Sequence, residues 1–290
     1  MNETLEKQAG ELSAGLRALD LNSTEVIKYN VLGVKIDATD YEKAVGRIIQ
    51  AAKQRRPYGV SALAVHGVIT GVQDDKHRHR LNALEMIVPD GQPVRWAMNL
   101  MYGAGLRDRV YGPTLMIKTC EAAAREGIPI FLFGGTDQLL SELERNLVRR
   151  FDTLLVAGRL PSKFRKISVD EKREILDEIK NSGAGIAFVG LGCPRQEVWT
   201  YEFKDHLNMP VLAVGAAFNF HAGLLAQAPP WMQDAGLEWL FRLIKEPTRL
   251  WHRYLVLNPY FLSLLFLQAS GLRKFETGNT IAPTGEILYG

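Results

Sequence analysis

The signatures that most directly announce a function are missing from this chain of 290 residues. Its two cysteines, Cys120 and Cys193, lie far apart in apolar surroundings, with no Cys-x-x-Cys and no Cys/His spacing. That pattern argues against zinc and against disulfides, and favours a reducing cytosol. No Gly-x-x-x-x-Gly-Lys-Ser/Thr run occurs, and no Gly-x-Gly-x-x-Gly, which removes the main support for an ATPase or an ordinary nicotinamide dehydrogenase. A net charge of +3 is too small to announce a nucleic-acid partner, so any basic patch must be local. Long hydrophobic runs are missing as well. MNETLEKQAGELSAGLRALDLNST has no apolar stretch of the signal-peptide kind, so no export is implied, and residues 1–25 read as a flexible tail. Tyr254 to Leu267 is strongly apolar, yet Asn258 and Pro259 interrupt it short of the roughly 20 residues a membrane span needs. A helix lying on a membrane or buried in protein fits it better.

What is present is regular. With 47% hydrophobic and 23% charged residues, the chain can bury one large core plus an appendage. From Val26, VIKYNVLGVKI reads as strand and YEKAVGRIIQAAKQ as an amphipathic helix. YGVSALAVHGVITGV, EMIVPDG, IPIFLFGGT, TLLVAGRL, GIAFVGLGCP and VLAVGAAFNF each carry an apolar strand, and helices such as TLMIKTCEAAAREG, QLLSELERNLVRRF and VDEKREILDEIKNSG separate them. This alternation predicts an α/β core over residues 26–228: a Rossmann-like, mostly parallel sheet with helices on both faces. Pro229, Pro230, Pro247 and Pro259 then cut residues 229–275 into short helices, GLEWLFRLIKE, PTRLWHRYLVLN and YFLSLLFLQASGL, which form a helical C-terminal appendage. Residues 276–290, ETGNTIAPTGEILYG, read as a flexible tail.

In such sheets ligands gather where strands end, so the loops after the apolar runs are the places to search. In LFGGTD, Gly134 and Gly135 would let backbone amides approach a phosphate at the next helix start, although the same residues also suit a tight turn. In VGLGCPRQEVW, Gly190, Gly192 and Pro194 make a roomy loop, and Arg195, Gln196 and Glu197 follow where capping residues are also common. Asp90 in VPDG fits an ordinary Asp-Gly turn. In LAVHGVITG, His66 follows an apolar run. Arg249 and Arg253 lie four apart on one helical face, with Arg242 one segment earlier. Beside Trp239, Trp251 and Tyr254 they suit an anionic group at a membrane surface better than bulk water.

The segment Gly223 to Arg253, with its APPWMQDAGLEWLFRLIKEPTRL, resembles the C-terminal signature of the WecG/TagA/CpsF glycosyltransferases, and the resemblance extends in order from about Val31 to Phe261. It implies an inverting transfer of a sugar from a UDP-sugar donor to a polyprenyl-diphosphate-linked saccharide in cell-surface polysaccharide synthesis. The enzyme would work at the cytosolic face of the membrane, with homo-oligomerisation left open. By the same resemblance Asp90 is the catalytic base, because an attacking hydroxyl must lose its proton. Gln196 and the glycine loops contact the donor, Arg109 matches the arginine of an Arg-x-x-Gly motif, and Arg242, Arg249 and Arg253 close over the acceptor diphosphate. No Asp-x-Asp pair sits in a suitable loop, since Asp74 and Asp75 in QDDKHRHR read as a solvated helix end, so neither metal nor cofactor is expected. The chain departs from the family pattern at the donor end. Ala64 and His66 stand where Thr-x-Asn is usual, Thr114 in a Gly-x-Asp-Leu position, Asn219 for an aspartate and Gln227 for an arginine. These changes point to a divergent subgroup with altered sugar specificity. A nonenzymatic nucleotide-sugar-binding or scaffolding subunit is the alternative that they motivate.

Overall fold

A computed structural model describes residues 27–229, 231–232, 235–278 and 280–290. The tail expected over residues 1–25 lies outside the described residues. The chain opens on an antiparallel hairpin, β1 (Lys28–Val31) and β2 (Val34–Asp37). Its tight turn holds Leu32 and Gly33 at positive φ, and the Asn30 side chain accepts from the Gly33 amide at 2.7 Å.

The sheet that follows is the predicted one. It contains β3 (Tyr58–Leu63), β4 (Met86–Pro89), β5 (Ile130–Phe133), β6 (Val156–Leu160), β7 (Ile186–Val189) and β8 (Pro210–Ala213), every pair parallel, in the order β4-β3-β8-β7-β5-β6. Parallel strands covered on both faces are apolar throughout, and IFLF, IAFV and PVLA are buried at every position. Alternate residues serve opposite faces. Leu132, Phe188 and Leu212 pack on α1 (Tyr41–Lys53), α5 (Gly112–Glu126) and α6 (Asp137–Arg150). Phe131, Ala187 and Val211 turn to α7 (Val169–Asn181) and α8 (Arg195–Leu207), where Trp199 stacks between Phe133 and Phe203. From β3 the chain moves outward one way to β4, then crosses to lay down β5 and the edge strand β6 on the other side and returns inward through β7 to β8. The direction therefore reverses between β3 and β8, the place where doubly wound sheets open a crevice.

Two helices follow β3 in succession, α2 (Val65–Gln73) and α3 (Asp75–Asn82). Asp74 closes α2 and starts α3 as an exposed helix end, as read from QDDKHRHR, but the rest of that stretch is a helix that packs inward. Asp74 caps it by accepting from the Lys76 and His77 amides, while His77 and Arg80 are only 2% and 3% exposed. Burial pushes the His77 imidazole down to about 4, so it packs as a neutral ring. The remaining core helix near the site is α4 (Gln92–Tyr102), closed by Gly103 in the left-handed conformation.

The appendage follows a short helix, α9 (Ala217–His221), and contains α10 (Glu238–Lys245), α11 (Pro247–His252) and α12 (Asn258–Ala269). Pro259 does not break it. A π turn over Arg253–Leu257 joins α11 to α12, and Pro259 falls in the first turn of α12, where its missing amide costs least. Phe261, Leu264 and Leu265 then bury against Leu63, Ile69, Val94 and Met98, so α12 completes a core layer over α2 and α4. No helix among the described residues is long and apolar enough to cross a membrane. The last residues are hydrogen-bonded to the core. Glu202 accepts from the Ile287 and Leu288 amides at 2.7 and 3.0 Å, Leu288 accepts from Ile167, and Ser162 donates to the Gly290 carbonyl at 2.5 Å.

Candidate active site

The ends of β3 and β4 and the appendage enclose a cavity of about 300 Å³. Two helices begin at its wall: α2, whose cap is Ala64, and α4, whose cap is Gly91. Neither cap offers a side chain to the first helical amides. Uncapped amides and the helix dipole make both starts favourable to an anion.

Asp90 lies directly after β4 in this wall, pinned by its amide, which donates to the Leu63 carbonyl at 3.2 Å. One carboxylate oxygen accepts from the Gly112 amide at 2.6 Å. Burial pushes the carboxyl up to about 6, against the pull of Arg109 and the Gly112 amide. It is therefore ionised at neutral pH and more basic than an ordinary carboxylate, which are the properties a proton acceptor needs. Arg109 sits beside it, with its guanidinium 4.3 Å from the centre of the Tyr111 ring, donating to the Asp90 backbone carbonyl at 3.4 Å and paired with Glu238 of α10. Burial works against the Arg109 charge, but Glu238 and Asp90 more than offset it. The Tyr111 phenol is driven well up by burial and by Glu238, so it remains a hydrogen-bond donor.

The appendage supplies the opposite wall with Trp239, Arg242, Arg253 and Tyr254. Arg242 packs 5.5 Å from the Phe220 ring centre, and its Nε is buried without a partner. Burial lowers the pKa of Arg253, and Arg249 and Arg242 add their repulsion. Arg242 is held above its ordinary range by Tyr254, Tyr111, Glu238 and Asp90 acting against burial, so Arg253 is the cation left with its charge opposed, and an anion would be stabilised beside it. His66 lines the same cavity. Burial, then the Arg253 charge, push its imidazole down to about 4, so it meets a ligand as a neutral donor and acceptor.

Asp90, His66, Arg109, Arg242 and Arg253 are thus gathered in one cavity, whereas the other expected residues are not among its lining. Arg249 is exposed and paired with Glu246 at 2.5 Å. Gln196 is 3% exposed and turned inward, accepting from the Gly192 amide at 3.1 Å and donating to Glu197 at 2.9 Å. Glu197, fully buried, also accepts from the Ser61 hydroxyl, and burial raises its pKa. Gly134 and Gly190 serve close packing. A side chain on Gly134 would meet the Gly190 backbone, and one on Gly190 would strike the Phe218 ring. Gly135 would meet Leu139 in the same way, while Gly192, at φ +77°, faces open space. Asn219 lies on α9, where its carbonyl accepts from Leu224 and Leu225. Among the described residues, no group of three or more His, Cys, Asp or Glu is placed to hold a metal ion.

Glu238, Tyr111 and Trp96 line the cavity without having been singled out from sequence. Glu238 stands inside the quoted GLEW and Tyr111 inside RVYG, so the signal was adjacency to residues already chosen. The family model for the glycosyl transferase WecG/TagA/CpsF family matches residues 29–275, which begins within β1 and takes in the whole parallel sheet and the appendage. The chain belongs to the WecG/TagA/CpsF glycosyltransferase family. It is accordingly a transferase by family, one whose members act in cell-surface polysaccharide synthesis. The cavity of this WecG/TagA/CpsF member combines a raised carboxylate, a neutral histidine and a cationic wall drawn from two parts of the chain.

Proposed function

We propose that the chain transfers a sugar, with inversion, from a UDP-sugar to a polyprenyl-diphosphate-linked saccharide at the cytosolic face of the membrane. Asp90 takes the proton from the acceptor hydroxyl as its oxygen attacks the anomeric carbon. The bond from that carbon to the diphosphate breaks on the opposite side, and UDP leaves with the bonding electrons. Helix starts at Ala64 and Gly91, with Arg109, favour the charge that develops on the departing diphosphate. Arg242 and Arg253 receive the lipid diphosphate from the appendage side, and the Gly192 loop, held by Gln196, supports the donor. His66, standing where the family usually has an amide, selects among donor sugars. Exposed Trp251, Leu255, Leu262 and Phe266 rest in the membrane surface as a peripheral contact.

The observation that carries this reading is the meeting of Asp90 with Arg109, Arg242 and Arg253 around one cavity. The test is UDP release by the purified chain over a panel of UDP-sugars, with and without a polyprenyl-diphosphate saccharide. Acceptor-dependent release from at least one donor is expected. UDP binding without release from any donor would overturn the enzyme assignment in favour of a nonenzymatic binding subunit.

A further inference from the structure

Glu238 belongs to the appendage, yet its carboxylate is buried in the wall of the core's cavity, 7% exposed and paired with Arg109. The Arg109 side chain is itself nearly enclosed, and its guanidinium already reaches Asp90, but at the backbone carbonyl and not at the carboxyl. The Asp90 carboxyl instead takes the Gly112 amide. Arg109 therefore lies beside two carboxylates, Glu238 buried and Asp90 half-buried, and donates to only one of them. We propose that Glu238 is a positioning residue for sugar transfer: by holding Arg109, it keeps that guanidinium off the Asp90 carboxyl and leaves Asp90 free to take a proton. The inference rests on the reading of Asp90 as the base.

The physical argument is a competition. A buried guanidinium deprived of its carboxylate is strongly unfavourable and turns to the nearest alternative, here Asp90. A carboxylate in a close bidentate pair with arginine is less basic and has its lone pairs occupied, which makes it a poor general base. The other groups facing Asp90 do not supply a substitute. Tyr111 beside Arg109, Tyr41 of α1 and Tyr254 of the π turn all have raised pKa values and stay neutral, and Arg242 of α10 is a second cation. Elsewhere in the cavity lining, His66 is neutral and Arg253 cationic. Among the described residues, Glu238 is the anion that both opposes these cations and occupies Arg109. Its removal also deletes a negative charge that raises the Asp90 pKa, so both consequences act in the same direction.

The experiment is the pH dependence of transfer, measured with a UDP-sugar and the lipid-linked acceptor, in the wild type and in Glu238→Gln, Glu238→Asp, Asp90→Asn, Arg109→Gln and Arg109→Gln/Glu238→Gln. Activity of the wild type should rise through a limb near pH 6. In Glu238→Gln the limb should move about one unit toward acid and the plateau fall roughly tenfold, while Glu238→Asp keeps the limb near its original place. A Glu238→Gln limb that coincides with the wild type would overturn the proposal. The double variant leaves no unpaired charge, so it reports even if Glu238→Gln alone fails to fold. Because Glu238 acts through Arg109, its loss in the Arg109→Gln background should cost no more than about twofold, and a further tenfold loss would also overturn the proposal. Asp90→Asn transferring at the wild-type rate would instead defeat the reading of Asp90 as base, whatever Glu238 does.

Discussion

Asp90 is caught between burial, which favours its neutral form, and Arg109 with the Gly112 amide, which favour the anion. Burial prevails, and the folded-state pKa rises from 3.8 to about 6. The raised value means that whatever stability Asp90 contributes is fully present at low pH and is lost as pH rises through about 6, on the order of 1–3 kcal/mol. Asp90→Asn removes that penalty, and its side-chain oxygen can still accept from Gly112. The variant should therefore melt a few degrees above the wild type at pH 8, with the difference shrinking toward pH 5, while UDP binding stays near normal and transfer is lost. Melting curves across that range, with transfer assays alongside, check both halves, and equal activity would remove Asp90 from the mechanism. Asp90 was legible in sequence only through the resemblance, because Asp-Gly after a strand is otherwise an ordinary turn. Glu238 was not legible at all as a partner of Arg109, since the two stand 129 residues apart and only the folded chain brings them together.

At the scale of elements, strand and helix alternation was readable because a parallel sheet buried on both faces demands unbroken apolar runs, and IFLF, IAFV and PVLA supply them. The errors came where a distant partner overrides a local signal. DKHRHRLN looks solvated in isolation, but α3 packs on α2 and α8, which buries His77 and Arg80. Pro259 signals a break until the π turn before it absorbs the missing amide. The appendage is the most consequential case. Read from sequence, residues 229–275 are an appendage outside the α/β core, but α12 contributes Phe261, Leu264 and Leu265 to a core layer. Phe261→Ala should accordingly cost about 3–5 kcal/mol in denaturant unfolding, a penalty that a separable tail would not show. Leu262→Glu and Phe266→Glu lie on the exposed side of the same helix. They should leave the melting temperature within about 2 °C of the wild type and weaken sedimentation with anionic vesicles several-fold; unchanged sedimentation would count against a membrane role for this face.

Over the whole molecule, the distribution of tryptophan offers a test of the proposed membrane contact. Of the five tryptophans, Trp199 is buried between Phe133 and Phe203, while Trp96, Trp231, Trp239 and Trp251 are exposed. Trp96 and Trp239 line the cavity, Trp251 lies on α11 and Trp231 precedes α10, so the exposed indoles accompany the appendage and the adjoining start of α4. A lipid diphosphate can reach a cavity only if its mouth lies at the depth of the headgroups, and tryptophan is the side chain best suited to that depth. Binding to vesicles that carry brominated acyl chains should therefore quench most of the intrinsic fluorescence and leave a residue from Trp199. Replacing Trp96, Trp239 and Trp251 with Phe should remove most of the quenchable signal without removing that residue. Quenching confined to the replaced protein's remaining indoles, or none at bound saturation, would place the membrane on another face and count against the proposed lipid-linked acceptor for this cavity.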